Sequence, residues 1–313
     1  MISVTAPSRL HLSLIDLNGS LGRIDGGVGI ALQKPDVLVE AEFSNRLAVN
    51  ADSRSSEILG LSRKLMQACK IKKNFVLNVR NQIPLHSGLG STTQLYLATA
   101  KAILTLNGIE MNASELAVLT GRGGTSGVGV AAFQNGGFIV DSGHSYGKGK
   151  EKQKFLPSAF SKAKPAPVAC RLDFPDWNVL LCTPESKGLH GVDELKYFKQ
   201  HFPAGEKEAE KISRIILMKM IPSILEKNLE EFDQAVRLMN KARSFKFPKE
   251  TQKMINEAGR QGGMGTSMTS FGPTVFTFTD SQKTKERIKQ KLKQYGRVTE
   301  TKAQNHGAVV SKA

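Results

Sequence analysis

The 313-residue sequence has few cysteines and few aromatic residues, and each shortage excludes a class of protein. The three cysteines, Cys69, Cys170 and Cys182, are widely spaced and form no CxxC pair, so neither a disulfide framework nor a zinc site is predicted. Aromatic residues make up only 6% of the chain, which leaves few platforms for stacking nucleic-acid bases. No apolar run is long enough to span a membrane, and residues 1–6 lack the pattern of a secretory signal. These absences favour a cytoplasmic globular protein with no membrane partner.

The charge balance is strongly positive, because 44 Lys and Arg residues against 28 Asp and Glu residues give a formal net charge of +16. The excess is concentrated in residues 148–164, 196–253 and 283–302. Such a balance is typical of proteins that bind nucleic acid, so a basic nucleic-acid-binding protein is one alternative. These stretches contain few aromatic residues, however. We favour a solvated basic surface that attracts a polyanionic small substrate, with no nucleic acid as partner.

The order of the predicted elements indicates the fold class. Apolar segments typical of strands are found at residues 3–6, 10–15, 28–32, 37–43, 75–79, 136–141, 178–182, 274–279 and 297–302. Helical spacing of apolar residues is found at residues 55–69, 94–106, 111–120 and 283–294, and in most of 192–261. Because strands and helices do not alternate regularly, the sequence predicts an α+β fold rather than a doubly wound sheet.

The composition changes at residues 146–167, where Lys, Gly, Pro and Ser predominate with little periodicity. This stretch predicts an interdomain crossing or a long mobile loop. The predicted domains are therefore residues 1–150, which contain a glycine-rich loop, and residues 165–313. Residues 187–191, after a predicted strand, are interpreted as an ordinary connection, with a mobile lid over the site as the alternative.

The glycine-rich loop at residues 84–93 (PLHSGLGSTT) is predicted to bind phosphate groups at the start of a helix. Gly88 and Gly90 allow left-handed backbone angles and a close approach to a ligand. Ser91 lies three residues before Gln94, which fits a capping box and predicts the helix start at Ser91. The free N–H groups of the first helical turn and the helix dipole form an anion site.

The whole loop core is included in the predicted phosphate site. Its residues are Ser87, Gly88, Leu89, Gly90, Ser91, Thr92 and Thr93. The hydroxyl groups can hold phosphate oxygens or ligate Mg²⁺, and Ser91 is the candidate metal ligand. The loop is neither a Walker A loop, which needs Gly-Lys-[Ser/Thr], nor a dinucleotide fingerprint, because Thr93 occupies the third glycine position. A plain strand-to-helix turn is the alternative.

Three motifs together resemble those of the GHMP kinase superfamily. The loop resembles its Pro-x-x-x-Gly-Leu-Gly-Ser-[Ser/Thr] motif, residues 6–12 (APSRLHL) resemble its first motif, and residues 262–276 (GGMGTSMTSFGPTVF) resemble its third. The motifs occur in the family's order and extend over nearly the whole chain. The resemblance implies a two-domain GHMP-kinase-like fold with the active site in the cleft between the domains.

A narrower resemblance concerns the activity. Residues 121–130 (GRGGTSGVGV) contain no carboxylate where GHMP kinases often place an aspartate base. That segment, with residues 9–16, 22–29 and 136–144, is similar to the family of β-ribofuranosylaminobenzene 5′-phosphate (β-RFAP) synthases, a branch without kinase activity. The similarity implies condensation of phosphoribosyl pyrophosphate with 4-hydroxybenzoate or 4-aminobenzoate, releasing CO₂ and pyrophosphate. It also implies methanopterin biosynthesis, an archaeal source, Mg²⁺ dependence and a homodimer. A small-molecule kinase that uses ATP and Mg²⁺ is the alternative.

Four residues in these motifs are predicted to be catalytic: Arg9, His11, Asp25 and Arg122. Arg9 and His11 alternate on one strand and face the same side, either toward an anion or at a surface edge. Asp25 orients the ribose or Mg²⁺, or pairs with Arg23. The Arg122 guanidinium can clamp a carboxylate or phosphate, with a solvated arginine at a turn as the alternative.

Four further residues are predicted to bind the substrate: Arg23, Thr125, Ser126 and Gly265. Thr125 and Ser126 add hydroxyl groups beside Arg122, and Gly265 belongs to the third motif. Asp141 and His144, at the end of a predicted strand, are expected near the site.

Overall fold

The computed structural model describes residues 1–156, 160–185, 196 and 203–312. The connection at residues 187–191 lies outside these residues. The strands, in chain order, are β1 (Ile2–Asp16), β2 (Arg23–Phe43), β3 (Ala48–Asn50), β4 (Phe75–Asn81), β5 (Phe138–Asp141), β6 (His144–Ser145), β7 (Val168–Leu172), β8 (Asn178–Thr183), β9 (Met264–Met268), β10 (Val275–Thr279), β11 (Arg297–Thr301) and β12 (Val309–Lys312).

The helices lie between strands along the chain. They are α1 (Ser55–Ala68), α2 (Ser91–Leu106), α3 (Ala113–Thr120), α4 (Val128–Asn135), α5 (Glu206–Ile215), α6 (Ile221–Leu225), α7 (Leu229–Ala242), α8 (Lys249–Arg260) and α9 (Gln282–Leu292). A π-helical segment, Ile216–Met220, joins α5 to α6. Among the described residues, no helix has the length and apolar character needed to cross a membrane.

The first sheet has the strand order β12-β1-β2-β4-β3, with β5 and β6 also paired to β2 and β7 paired to β5. The four strands predicted at residues 3–43 form only two, because the antiparallel pairing of β1 with β2 continues across a register shift between Pro7 and Ser8. The Pro and Gly residues that suggested breaks therefore lie within long, irregular strands. Strand β2 is long enough to pair with β4 near its end and with β5 and β6 near its start.

The second sheet is antiparallel, with the order β11-β8-β10-β9. A buried group of aromatic rings lies beneath it, in which Phe174 contacts Trp177, Phe232 and Phe278 at centroid distances of 5.2–5.6 Å. The two sheets with their helices confirm the predicted α+β fold. The division of the chain at residues 150 and 165 stays a prediction, and β7 and β12 both pair within the first sheet.

Helix α2 begins at Ser91 as predicted, but the predicted capping box is wrong. The N-cap is Gly90, with φ of 86° and no side-chain cap. Gln94 is fully buried, and its amide donates a hydrogen bond of 2.7 Å to the Gly129 carbonyl instead of returning to the helix start. Packing of α2 against the first sheet and α4 directs this side chain inward. The first-turn N–H groups consequently have no side-chain cap and face the loop.

Candidate active site

The three motifs meet around a cavity of about 200 Å³. It is lined by Arg9, His86, Gly88, Gly90, Ser91, Thr92, Thr93, Arg122, Gly123, Ser126, Gly129, Ser270, Phe271 and Gly272. Residues from the loop, from the start of α4 and from the turn between β9 and β10 therefore contribute to one site. This is the cleft location that the resemblance implied.

Backbone contacts hold the motifs together. The Arg9 amide donates to the Leu89 carbonyl at 3.1 Å, and the Ser270 amide donates to the His11 carbonyl at 2.9 Å. At Gly272, an added Cβ would lie 2.3 Å from the Gly88 nitrogen, so the two backbones approach too closely for any side chain. The loop shape thus depends on glycine in two motifs separated by more than half of the chain.

The cavity is suited to an anion. Gly88 and Gly90 have φ of 79° and 86°, which turns the chain into the uncapped amino end of α2. The Arg9 guanidinium donates to the Gly88 carbonyl, and the Arg122 Nε and Nη2 atoms each lie 3.1 Å from the Thr93 Oγ1 atom that accepts their hydrogen bonds. Two cations thus border the loop. None of the described lining residues is acidic.

Most of the predicted loop residues face this cavity, but two do not. Ser87 is buried, and its hydroxyl donates to the Pro84 carbonyl at 2.7 Å. Leu89 is 1% exposed and packs in the core. Both side chains hold the loop from beneath, so any contact they make with a ligand would have to come from their backbone.

Beside the cavity, three side chains form a hydrogen-bonded series that we call the cavity chain: His11, Ser126 and Asp141. His11 Nε2 lies 3.1 Å from Ser126 Oγ, which donates to Asp141 Oδ2 at 3.1 Å. The Gly127 amide also donates to Oδ2, at 2.9 Å, and the Gly143 amide donates to Oδ1 at 3.0 Å. Residues 121–130 contain no carboxylate, but β5 places one directly beneath them. Asp141 was expected near the site, and its link to Ser126 arises only from the pairing of β5 with β2.

Burial sets the protonation of the cavity chain. It raises the pKa of Asp141 to about 6, although hydrogen bonds from Gly143, Ser126 and Gly127 oppose the increase. It lowers the pKa of His11 well below its ordinary value, and the positive charges of Arg9 and Arg243 act in the same direction. His11 is therefore a neutral imidazole at pH 7. The neutral ring has one nitrogen without a proton, and this nitrogen can accept a proton while the other stays hydrogen-bonded to Ser126.

Asp25 belongs to a different group, the buried cluster, which consists of Asp25, His144 and Lys152. Asp25 Oδ2 lies 2.7 Å from both His144 Nδ1 and Lys152 Nζ. Lys152 also donates to the Gly124 carbonyl at 3.1 Å. The predicted alternative of an Arg23–Asp25 pair is wrong, because Arg23 donates instead to the Ser142 and Gly143 carbonyls.

Neither Arg23 nor Asp25 lines the cavity at the glycine-rich loop. Two other predicted residues also lie away from it. The Thr125 hydroxyl donates to the Leu156 carbonyl at 2.5 Å. Gly265 has φ of 57°, and its missing Cβ would lie 3.0 Å from the Phe232 and Phe278 rings, so packing in the second domain requires glycine there. Their predicted contacts with substrate stay predictions.

Sequence reasoning missed Lys152, Arg243 and Phe271. Lys152 lies in the stretch interpreted as a crossing or mobile loop, yet it is 4% exposed. Arg243 follows α7 in a basic region, where nothing local separates a buried arginine from a solvated one. Phe271 lies within the third motif, and that position was the only available signal.

The described residues contain no group of three or more His, Cys, Asp or Glu side chains arranged to hold a metal ion. The oxygen donors that face the cavity are the hydroxyl groups of Ser91, Thr92, Thr93, Ser126 and Ser270. This set is too weak for a resident divalent cation, which usually binds one or two carboxylates. It fits a cation that binds together with a phosphorylated substrate.

Comparison with known proteins agrees with this geometry. The family described as GHMP kinases N terminal domain matches residues 57–137, and the family described as GHMP kinases C terminal matches residues 220–298. The β-ribofuranosylphenol 5′-phosphate synthase of Methanocaldococcus jannaschii is 40% identical, with 97% of this chain and 98% of the relative covered. That of Methanothermobacter thermautotrophicus is 42% identical over 89% of each chain. The solved mevalonate kinase of Methanococcus jannaschii has a TM-score of 0.71 at 17% identity, covering 97% of this chain and 98% of its own, which shows a shared fold.

Proposed function

Because this chain belongs to the family of β-ribofuranosylphenol 5′-phosphate synthases, within the GHMP kinase superfamily, we propose that it condenses phosphoribosyl pyrophosphate with 4-hydroxybenzoate and releases CO₂ and pyrophosphate. The relatives' name specifies a phenol product, which 4-hydroxybenzoate yields and 4-aminobenzoate does not. The step belongs to methanopterin biosynthesis in this proposal. The observation that carries it is the cavity, where helix-start amides and two arginines surround a space without acidic side chains.

The reaction replaces one bond at the ribose C1 atom with another. The C1–oxygen bond breaks, and its electron pair leaves with pyrophosphate. The ring carbon that bears the carboxylate forms the new C–C bond to C1. The bond to the carboxylate then breaks, CO₂ departs, and the electron pair restores the aromatic ring, so atoms and charge balance without an oxidant.

The chain's own residues stabilise the leaving group. Negative charge develops on pyrophosphate as the C1–oxygen bond breaks, and in this proposal the first-turn amides of α2, which have no side-chain cap, donate hydrogen bonds to it. Arg9 and Arg122 border the same space. These groups are held by backbone contacts between motifs, so little reorganisation is needed during the reaction.

The cavity chain supports the attack of the ring. A 4-hydroxy group donates electrons to the ring more strongly when its proton is removed. Because Ser126 donates to Asp141, His11 Nε2 donates to Ser126, and the Nδ1 atom of the neutral ring is left to accept that proton. The lowered pKa of His11 favours the return of the proton when the aromatic ring is restored. The absence of a carboxylate within residues 121–130 is consistent with this role, because no hydroxyl nucleophile needs activation as in a kinase.

Mg²⁺ is part of the proposal as an ion that binds with pyrophosphate, with the Ser91 hydroxyl as the protein ligand. When bound, it supplies positive charge that offsets the charge of the leaving group. The hydroxyl-only donor set of the described cavity residues supports binding with the substrate rather than before it.

The homodimer that the resemblance implies is also proposed. Strand β12 lies at the edge of the first sheet, and its Val309 and Val310 side chains are 49% and 37% exposed. An exposed apolar edge strand favours pairing with a second copy. Light scattering should give twice the mass of the 34.1 kDa chain, and a Val310→Lys variant should shift the protein toward the monomer.

The activity is tested with purified protein, phosphoribosyl pyrophosphate, Mg²⁺ and carboxyl-labelled 4-hydroxybenzoate. We expect labelled CO₂ and pyrophosphate in equal amounts, and slower release from 4-aminobenzoate. Parallel reactions contain ATP with homoserine or mevalonate in place of the two substrates. Formation of ADP there, with no CO₂ from the benzoate, would establish the kinase alternative instead.

A further inference from the structure

The charge of Arg243 acts on His11, beside the proposed site, and part of its guanidinium is buried without a partner in the part of the chain that the structure describes. Arg243 follows the last residue of α7, and its Nε and Nη2 atoms are buried with no hydrogen-bond partner among the described residues. The carboxylate that acts on it is Glu208, which accepts a hydrogen bond from the Ser244 amide at 3.1 Å and forms no ion pair with Arg243 within the described structure. Burying guanidinium nitrogens in this way is unfavourable unless a water molecule or a ligand supplies the missing acceptor.

Arg243 lies near the cavity at the glycine-rich loop, which we call the phosphate cavity. It lines a second cavity of about 1000 Å³, together with Phe245 and Phe247. Phe271 lines the phosphate cavity, and its ring lies 5.3 Å from the Phe245 ring at an angle of 84°. The Phe245–Phe271 pair therefore forms the boundary at which the two cavities meet.

Two polar residues of the second cavity that lie near Arg243 in the sequence, Asn240 and Arg237, already have partners. The Asn240 amide donates to the Thr266 carbonyl at 3.1 Å and accepts from the Ser267 hydroxyl at 2.7 Å. Arg237 pairs with Asp233 at 2.6 Å. Lys241 and Lys246 also line this cavity, but both are exposed to solvent. Among the described lining residues, Arg243 is thus the cation with buried nitrogen atoms that have hydrogen-bonding capacity left for a ligand.

We propose that Arg243 binds the carboxylate of the aromatic substrate, with the ring placed against Phe245 and Phe271 beside the phosphate cavity. This inference rests on the proposed function for the identity of the substrate. A planar guanidinium matches a carboxylate with two parallel hydrogen bonds, and aromatic rings pack well edge to face at the observed separation. The alternative anion is the 5′-phosphate of phosphoribosyl pyrophosphate, but a phosphate group gains nothing from packing against the Phe245 and Phe271 rings.

The assignment also explains how the product leaves. The ion pair holds the ring until the carboxylate departs as CO₂, which is uncharged. The product has no carboxylate for Arg243, so its affinity for this position falls. 4-Hydroxybenzoate should therefore bind at least tenfold more tightly than phenol, which has the same ring without the charge.

The test measures binding to the full chain by equilibrium dialysis of labelled 4-hydroxybenzoate in the presence of pyrophosphate and Mg²⁺. We expect Arg243→Gln to weaken benzoate binding about 10- to 100-fold, because it removes hydrogen bonds to a charged group. Arg243→Lys should recover part of the affinity. Pyrophosphate binding and the thermal midpoint should change little. Arg237→Gln is the matched control, since it removes one positive charge from an exposed position on α7, the helix that ends just before Arg243.

The outcomes separate the two proposals. Unchanged benzoate binding in Arg243→Gln overturns the assignment, and a selective loss of affinity for phosphoribosyl pyrophosphate reassigns Arg243 to the 5′-phosphate. Arginine-dependent binding of benzoate by a protein that releases no CO₂ would support the subsite while contradicting the proposed reaction. A wild-type chain that does not bind 4-hydroxybenzoate contradicts both.

Discussion

Two fully buried aspartates flank the glycine-rich segment at residues 121–130, and their surroundings differ in kind. Asp25, in the buried cluster, has one oxygen against Lys152 and His144, while its Oδ1 atom has no hydrogen-bond partner among the described residues. Asp141, in the cavity chain, has both oxygens bonded, to two backbone amides and the Ser126 hydroxyl. The first carboxylate is held by charge and the second by neutral donors.

This difference indicates a structural role for the Asp25 carboxylate and a chemical role for the Asp141 carboxylate. A buried ion pair must keep both of its partners, because removing one leaves an uncompensated charge. A carboxylate held by neutral donors can lose its charge at an accessible pH, as the pKa of about 6 for Asp141 indicates. We therefore expect the buried cluster to govern stability and the cavity chain to govern activity.

The largest expected effect comes from Asp25→Asn, which leaves Lys152 buried without a counter-charge. We expect a loss of about 3–5 kcal/mol in the free energy of unfolding, measured by urea denaturation. Asparagine tolerates the φ of 71° at this position, so the effect reports the charge rather than the backbone. Asp176→Asn is the control, because its side chain is 81% exposed in its pair with Lys302 and should cost less than about 1 kcal/mol. Equal effects in both variants would contradict the assigned role of the buried cluster.

The next effect is the pH dependence contributed by Asp141. Its folded pKa of about 6 lies above the ordinary value of 3.8, so its contribution to stability is fully present below pH 3.8 and is lost as the pH rises through about 6. The loss amounts to about 3 kcal/mol. Urea denaturation of the wild type and Asp141→Asn should be compared across this range. The free energy of unfolding of the wild type minus that of the variant should decrease as the pH rises. A constant difference would mean that Asp141 does not titrate there.

Gly272→Ala should displace the glycine-rich loop and leave the buried cluster intact, because the added Cβ would lie 2.3 Å from the Gly88 nitrogen. We expect a stability loss of about 2 kcal/mol and at least a hundredfold loss in kcat/KM, since a shift of about 1 Å in a positioning loop has that effect. Gly60→Ala, in helix α1 with open space around it, should retain activity and gain slightly in stability. Retained pyrophosphate binding by Gly272→Ala, measured by calorimetry, would show that the loop tolerates the change.

Ser126→Ala is expected to have the smallest effect on stability, about 1 kcal/mol, because it removes one neutral link between His11 and Asp141. The value of kcat should fall roughly tenfold, with a changed pH profile, if proton transfer uses this link. Ser142→Ala is the matched control, since this exposed hydroxyl next to Asp141 donates only to the Pro167 carbonyl. An unaltered pH profile in Ser126→Ala would remove the cavity chain from the mechanism.

The residues predicted from local backbone chemistry lie at the cavity, whereas some of those predicted only from their place in a motif do not. Gly88, Gly90 and Ser91 were recognised because a tight turn into a helix needs those residue types in that order, and they line the cavity. Arg9 and His11 were recognised from strand alternation; Arg9 contacts the loop at Gly88, and His11 contacts Ser126 beside the cavity. Thr125 and Gly265 had only their place in a motif as a signal, and the structure places them in packing positions.

The sequence by itself determined the fold class, most element positions and the glycine-rich turn into α2, because periodicity, turn chemistry and glycine angles act over a few residues. The tertiary structure alone decided the partners of the buried charges. Asp25 contacts a lysine 127 positions away, and Ser126, in the turn before α4, contacts a carboxylate on strand β5. Arg243 became a candidate only because folding buries its guanidinium. Such partners depend on strand register and loop packing, where a desolvated charge must find a counterpart at any sequence distance, and no local pattern records which one it finds.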